Sequence, residues 1–283
     1  TELTLRILEH LVLNGPEYQR DMATRICMRD EKSVSYRSIL RHLHTLERAR
    51  FIALESVERD SGKGRGRYVW GVTLTGLLCY LVKDEKALET IGVIAEKHKE
   101  NVPLLFGKWG FFHEKGIKKI VVENLFKGVG QMRSSLGPHF DALLDPKAQP
   151  TPFLTMYSFL PVPLPEPVTL GSSPDLKLTL EGIYDSMLSG TLLDMALGLH
   201  ELTIFMNIPP GVPGIQFFHL DIQKYFDARL GVFCDDDELC KYIGERLDEM
   251  AKTSKLLVDG MKEVQDHWRR AKKIAAKKKE AKK

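Results

Sequence analysis

The sequence predicts a mainly α-helical protein with one small patch of β-structure in its N-terminal third. Three observations carry that expectation. Apolar residues recur at helical spacing through much of the chain. A strand-like pattern appears on both sides of a glycine-rich basic stretch, Asp60 to Arg67. From Asp235 onward there is no proline, and apolar residues alternate at spacings of three and four.

Leu3, Leu5, Ile7, Leu8, Leu11 and Val12 set the first helix, and Asn14-Gly15-Pro16 stops it, since proline cannot continue a helix. A second, short helix is expected over Tyr18 to Cys27, burying Met22, Ala23 and Ile26. After the polar run Arg29-Asp30-Glu31-Lys32, a serine at Ser33 or Ser35 is placed to cap a third helix. Ile39, Leu40, Leu43 and Leu46 form its apolar face. Arg37, Arg41, His44 and Arg48, at i, i+4, i+7 and i+11, form a stripe away from it. Phe51-Ile52-Ala53-Leu54 then starts a strand, and Tyr68, Val69, Trp70, Val72 and Leu74 mark a returning one. Between them three glycines alternate with Lys63, Arg65 and Arg67, which makes a flexible, positively charged hairpin tip. Thr73-Leu74-Thr75-Gly76 leads into an apolar helical stretch from Leu77 to Val82.

This order resembles the winged helix-turn-helix domains of archaeal and bacterial transcription regulators, the archaeal ones most. The residues that carry it are the run Val34 to Glu47, then Phe51-Ile52, then Gly66-Arg67-Tyr68-Val69-Trp70, then Leu74-Thr75. The chain departs from the pattern at Arg50, where such families usually have glycine, and at Gly76, which follows Leu74-Thr75 sooner than usual. The resemblance implies an N-terminal domain over residues 1–82 with a two-stranded wing and a third helix that enters the major groove of double-stranded DNA. Arginine can donate two bonds to guanine, so Arg37 and Arg41 are the expected base readers, with Ser35 and Tyr36 beside them and His44 and Arg48 further along the stripe. Lys63, Arg65 and Arg67 are expected on phosphates or in the minor groove. Winged helices also dock proteins, and in that use the same arginines are solvated surface.

The middle, residues 83–234, is expected to be helical and acidic. Asp84 to Lys99 reads as one helix, with Ala87, Leu88, Ile91, Ile94 and Ala95 on one face. An aromatic group (Phe106, Trp109, Phe111, Phe112) reads as core and precedes a helix over Ile117 to Met132. Prolines crowd residues 146–175 and mark a connector. A helix is expected from Leu176 or Glu181 to about Phe205. No catalytic set emerges, so no enzyme activity and no cofactor is expected. Gly128-Val129-Gly130 lacks the third glycine of a dinucleotide fingerprint, and Gly64 follows Gly62-Lys63 where a phosphate-binding loop needs Ser or Thr. Asp235-Asp236-Asp237-Glu238 reads as the acidic start of a helix in preference to a metal site. Cys27, Cys79, Cys234 and Cys240 form no C-x-x-C pair and are expected to be reduced, packed thiols.

In the last segment, 235–283, Cys240, Ile243, Leu247, Met250, Ser254, Leu257, Met261, Val264 and Trp268 keep a heptad register with one polar position, Ser254. A long helix is expected there. It either dimerises as a coiled coil through Ile243, Leu247, Met250, Leu257, Met261, Val264 and Trp268 or packs on its own domain.

Charge is divided along the chain. Residues 1–82 carry net +3 and 269–283 net +8, so 83–268 carry −8 within a total of +3. Positive ends around an acidic middle suit a protein that touches a polyanion at its ends. The Lys-rich tail is either a second phosphate contact or a solvated end. With no apolar run able to span a bilayer and no leader-like start, the chain is expected in the cytoplasm, associated with the nucleoid. The expectation is a homodimeric, sequence-specific regulator of transcription whose middle could sense a small-molecule effector that no residue identifies. The rivals are an assembly protein with protein partners and an architectural DNA-binding protein without base preference.

Overall fold

The structure, a computed structural model, describes residues 2–29, 34–58, 67–146, 188–199 and 231–252. These are mainly helical, with one small three-stranded antiparallel sheet. Among them no helix is long and apolar enough to cross a membrane.

Helix α1 (Glu2–Asn14) buries Ile7, Leu8, Leu11 and Val12. It closes where Gly15, at φ +83°, donates its N–H to the Leu11 carbonyl at 2.9 Å. Strand β1 (Glu17–Tyr18) follows, and helix α2 (Gln19–Arg29) begins at the next residue. The Glu17 carboxylate accepts from His10 Nε2 and has Arg25 Nε 3.2 Å away, tying α1, β1 and α2 together. Helix α3 (Tyr36–Arg48) leads to strands β2 (Ile52–Glu58) and β3 (Arg67–Val72). β3 is central, in the order β1-β3-β2.

The expected two-stranded wing is thus part of a three-stranded sheet, and Tyr18, expected in a helix, is a strand residue paired with Val69. Two residues are too few to show a period of their own. In the β2–β3 ladder Leu54 faces Trp70 and Ser56 faces Val69, so Glu55 is the extra residue of a β-bulge. Its carboxylate lies across Gly71, and burial pushes the carboxyl pKa up.

The turn from α3 to β2 explains the arginine found where glycine is usual. Arg50 N–H donates to Glu47 O and Phe51 N–H to Leu46 O, both at 2.9 Å, while Phe51 and Leu46 are fully buried. This is the Schellman closure of a helix. It needs a left-handed residue, and Arg50 supplies it at φ 59°. For a residue with a Cβ that conformation costs about 1–2 kcal/mol.

Helix α4 (Leu74–Lys83) starts at Thr73, whose Oγ1 accepts from Gly76 N–H at 3.1 Å. A Cβ at Gly76 would sit 1.9 Å from the Phe51 carbonyl oxygen, so only glycine lets α4 lie against that turn. Leu74 to Val82 are all buried, as an all-round apolar helix requires.

The expected helix 84–99 is instead a 3₁₀ turn (Glu85–Leu88) followed by helix α5 (Ile91–Lys97). Asp84 Oδ1 accepts from Lys86 N–H at 2.9 Å and Thr90 Oγ1 donates to Ala87 O at 3.0 Å. These local bonds replace helical ones. Helix α6 (Trp109–Glu114) follows, with Phe106 and Phe112 in the core as expected. Helix α7 (Lys118–Leu144) runs twelve residues past the expected end at Met132, carrying Pro138 inside it. Leu136, Phe140 and Leu144 continue the buried face of Val121, Leu125 and Val129, and that packing outweighs one lost backbone bond. Arg133 Nε donates to Val82 O at 2.8 Å, and Lys83 pairs with Asp141 at 2.7 Å. The described part of helix α8 (188–196) closes at Gly198, φ 71°, short of Phe205, and the expected start at Leu176 or Glu181 lies outside the described residues. Helix α9 (237–252) is capped by Asp236, whose Oδ1 accepts from Leu239 N–H at 2.9 Å.

The described residues up to 146, with 188–198, belong to one compact unit; Leu199 and 231–252 belong to another. The expected boundary after residue 82 therefore lies inside the first unit. The reason is α4, which is apolar on all sides and needs α1 and α7 to cover it. Of the cysteines, Cys79 is packed in the core, but Cys234 is exposed, which corrects the expectation of four packed thiols.

His98 stitches this unit. Its Nε2–H donates to Val12 O at 2.8 Å, and Asn101 Nδ2 donates to His98 Nδ1 at 3.1 Å and to Val72 O at 3.3 Å. A proton on Nδ1 would lose the Asn101 bond. Burial lowers the His98 pKa against the opposing pull of the Val12 carbonyl. Burial, then the Arg41 charge, lowers that of His42, whose Nδ1 bonds Thr4 Oγ1 at 2.7 Å.

Two outcomes are expected. Arg50→Gly should raise stability in urea by about 0.5–1 kcal/mol, because the left-handed penalty exceeds the added freedom of the unfolded chain. The second concerns pH: below about 6.5 the unfolded chain binds protons that native His98 and His42 resist. The melting temperature should therefore fall between pH 7.5 and pH 5.5, and His98→Gln should flatten that slope.

Candidate nucleic-acid interface

The α3 surface is built from its cap outward. Ser35 is extended, and its Oγ accepts from Ser38 N–H at 3.2 Å, which starts the helix at Tyr36. Ile39, Leu43 and Leu46, with His42 and Thr45, fix the buried face. Arg37, Arg41, His44 and Arg48 are consequently exposed on the other side. Together with Ser35 and Ser38 they line one open groove, whose far rim is Pro146 at the end of α7. Arg48 Nη2 lies 3.5 Å from the Pro146 carbonyl oxygen. Among the described residues Arg37 and Arg41 have no carboxylate partner. His44 Nδ1, by contrast, is 3.1 Å from Glu47 Oε2, so one carboxylate stands within the stripe.

Of the nine DNA-contact residues expected from sequence, five meet in this groove: Ser35, Arg37, Arg41, His44 and Arg48. Tyr36 turns to the adjoining cleft between α2 and α3, with Arg20, Ala23, Thr24 and Cys27. Its hydroxyl accepts from Gln19 Nε2 at 2.8 Å, and Gln19 Oε1 accepts from Trp70 Nε1 at 3.3 Å. That chain of bonds sets the N-terminus of α3 against the sheet. Arg67 opens β3 with its guanidinium 5.7 Å from the centre of the Tyr18 ring, within cation–π range. Lys63 and Arg65 lie outside the described residues.

Sequence reasoning missed Arg20, Ser38 and Gln19. Arg20 and Thr24 are exposed one helical turn apart on α2, a polar spacing readable in the sequence. Pro146 had no such signal, because only the long course of α7 brings it to α3. Cys27 Sγ donates to Val34 O at 2.9 Å, drawing the end of α2 toward the start of α3.

Elsewhere, the acidic run Asp235 to Glu238 forms the N-terminus of α9, with Asp236 as its cap. Among the described residues no group of three or more His, Cys, Asp or Glu side chains could hold a metal ion. Of the expected dimerisation residues, Ile243 and Met250 are each 3% exposed in the single chain and Leu247 is half-buried. Leu257, Met261, Val264 and Trp268 lie outside the described residues.

No protein-family profile, curated protein or solved structure matches this chain.

Ser35→Ala removes the cap of the helix that carries the groove. It should cost about 1 kcal/mol of stability, measured by urea unfolding, because it removes the side-chain acceptor and leaves the Ser38 N–H only its 2.9 Å bond to the Ser35 carbonyl.

Proposed function

We propose that residues 1–82 fold as a winged helix-turn-helix whose α3 lies in the major groove of double-stranded DNA, and that the chain regulates transcription. The observation that carries the reading is the gathering of Ser35, Arg37, Arg41, His44 and Arg48 in one open groove on an exposed helix face. The order α1, β1, α2, α3, β2, β3 supports it, as does the exposed cation that opens β3 beside the Tyr18 ring, Arg67. An α-helix fits the major groove, and from Arg37 to Arg48 the stripe runs about 16 Å along the axis. Arg37 and Arg41, nearest the N-terminus of α3, are the base readers. Arg48, Lys63, Arg65 and Arg67 hold phosphate and set register.

Two such helices on a two-fold axis would read paired half-sites. We place the pairing of two copies on the later heptad positions, Leu257, Met261, Val264 and Trp268, because Ile243 and Met250 are already covered within one chain.

The test is an anisotropy titration of duplex DNA at several salt concentrations, comparing the intact chain with a variant carrying Ala at Arg37, Arg41, Lys63, Arg65 and Arg67. The variant should lose at least tenfold in affinity, and its salt slope should fall by about 0.9 for each phosphate contact removed. Equal affinity would sink the reading and assign the groove to a protein partner. Loss confined to a chain ending at Trp268 would assign binding to the Lys-rich tail.

A further inference from the structure

We infer that Cys234 and Cys240 are a dithiol site that closes to an intrachain disulfide when a hydroperoxide oxidises it. Their Sγ atoms are 3.1 Å apart, in direct contact. Cys234 is exposed and Cys240 partly so, which gives a small oxidant access. The approach is set by the backbone around the start of α9. Cys234 N–H donates to Gly231 O at 3.2 Å, and Cys240 N–H donates to Asp236 O at 2.8 Å. Asp236 Oδ1 holds Leu239 N–H at 2.9 Å, so the turn between the two sulfurs is fixed by its own hydrogen bonds.

The other two cysteines are placed differently. Cys79 is fully buried, and Cys27 Sγ is occupied with the Val34 carbonyl. Disulfide sulfurs stand about 2.05 Å apart, so closure needs about 1 Å of approach. In the resting dithiol the hydrogen bond with Cys240, then desolvation and the Cys240 and Asp235 charges, push the Cys234 thiol pKa up.

The chemistry balances. One sulfur, as thiolate, attacks an oxygen of hydrogen peroxide, forming an S–O bond and breaking O–O to release hydroxide. The second sulfur, as thiolate, attacks the sulfenic sulfur, forming S–S and expelling hydroxide. The two thiol protons end on the two hydroxides. Two thiols and one peroxide thus give one disulfide and two waters. The closed form ties the turn at Cys234 covalently to the first turn of α9.

The full chain is treated with equimolar hydrogen peroxide, quenched with iodoacetamide and digested with trypsin. Peptide Leu230–Lys241 carries both cysteines with no internal Lys or Arg. It should appear unalkylated and about 2 Da lighter than the dithiol peptide, the two hydrogens lost on oxidation. Cys234→Ser should abolish the light form and leave Cys240 open to alkylation. Double alkylation of the treated peptide would overturn the inference, as would a sulfinic acid at either position or a disulfide between chains on a non-reducing gel.

Discussion

Much of the first compact unit depends on the two residues that follow α3. Arg50 turns left-handed so that the chain can leave the helix, and Phe51 enters the core beneath it. The Phe51 carbonyl accepts from Thr73 N–H at 3.0 Å, and the Arg50 carbonyl from Thr73 Oγ1 at 2.6 Å. Gly76 lets α4 lie against the same backbone, and the Phe51 ring meets Phe140 of α7 edge-on at 5.7 Å. Helix α3, the sheet, α4 and α7 therefore share one joint. The angle at which α3 presents its charged face is set there, and a backbone that is costly to adopt is held in place by the elements it positions.

That dependence accounts for what could be read from the sequence. The face of α3 was legible because both of its halves are local: apolar residues at helical spacing turned inward and cations at the complementary positions turned outward. The groove was only half legible. Its α3 wall follows from the stripe, but Pro146 reaches the other side only because α7 continues across Gly137-Pro138, a pair that locally reads as a stop. Strand β1 left no trace, since Glu17 and Tyr18 become a strand only by pairing with Trp70 and Val69. Residues 84–99 misled in the other direction. Their apolar spacing is helical, but Asp84 and Thr90 offer the backbone side-chain partners that break the helix into two short pieces. Arg50 stands as a useful mismatch between levels, a residue that fits its turn poorly in a turn the fold cannot do without.

The two halves of the first unit are also joined by buried polar groups. His98 connects the last turn of α1 with the segment after α5, and Asn101 extends the link to the end of β3. These bonds span elements on either side of residue 82, where the resemblance implied the end of the N-terminal domain. A neutral imidazole can serve there because one nitrogen donates and the other accepts.

The bulge at Glu55 has a consequence for crowding. Among the described residues β2 is an edge strand, so one row of its N–H and C=O groups has no neighbour there in the sheet. A straight edge of that kind is a template on which a second chain can add its own strand, the first step toward fibrils. The extra residue breaks the regular spacing of that row, and a carboxylate rides on the strand beside exposed Leu54. The register shift at Glu55 makes this edge a poorer template for such strand addition than a straight one.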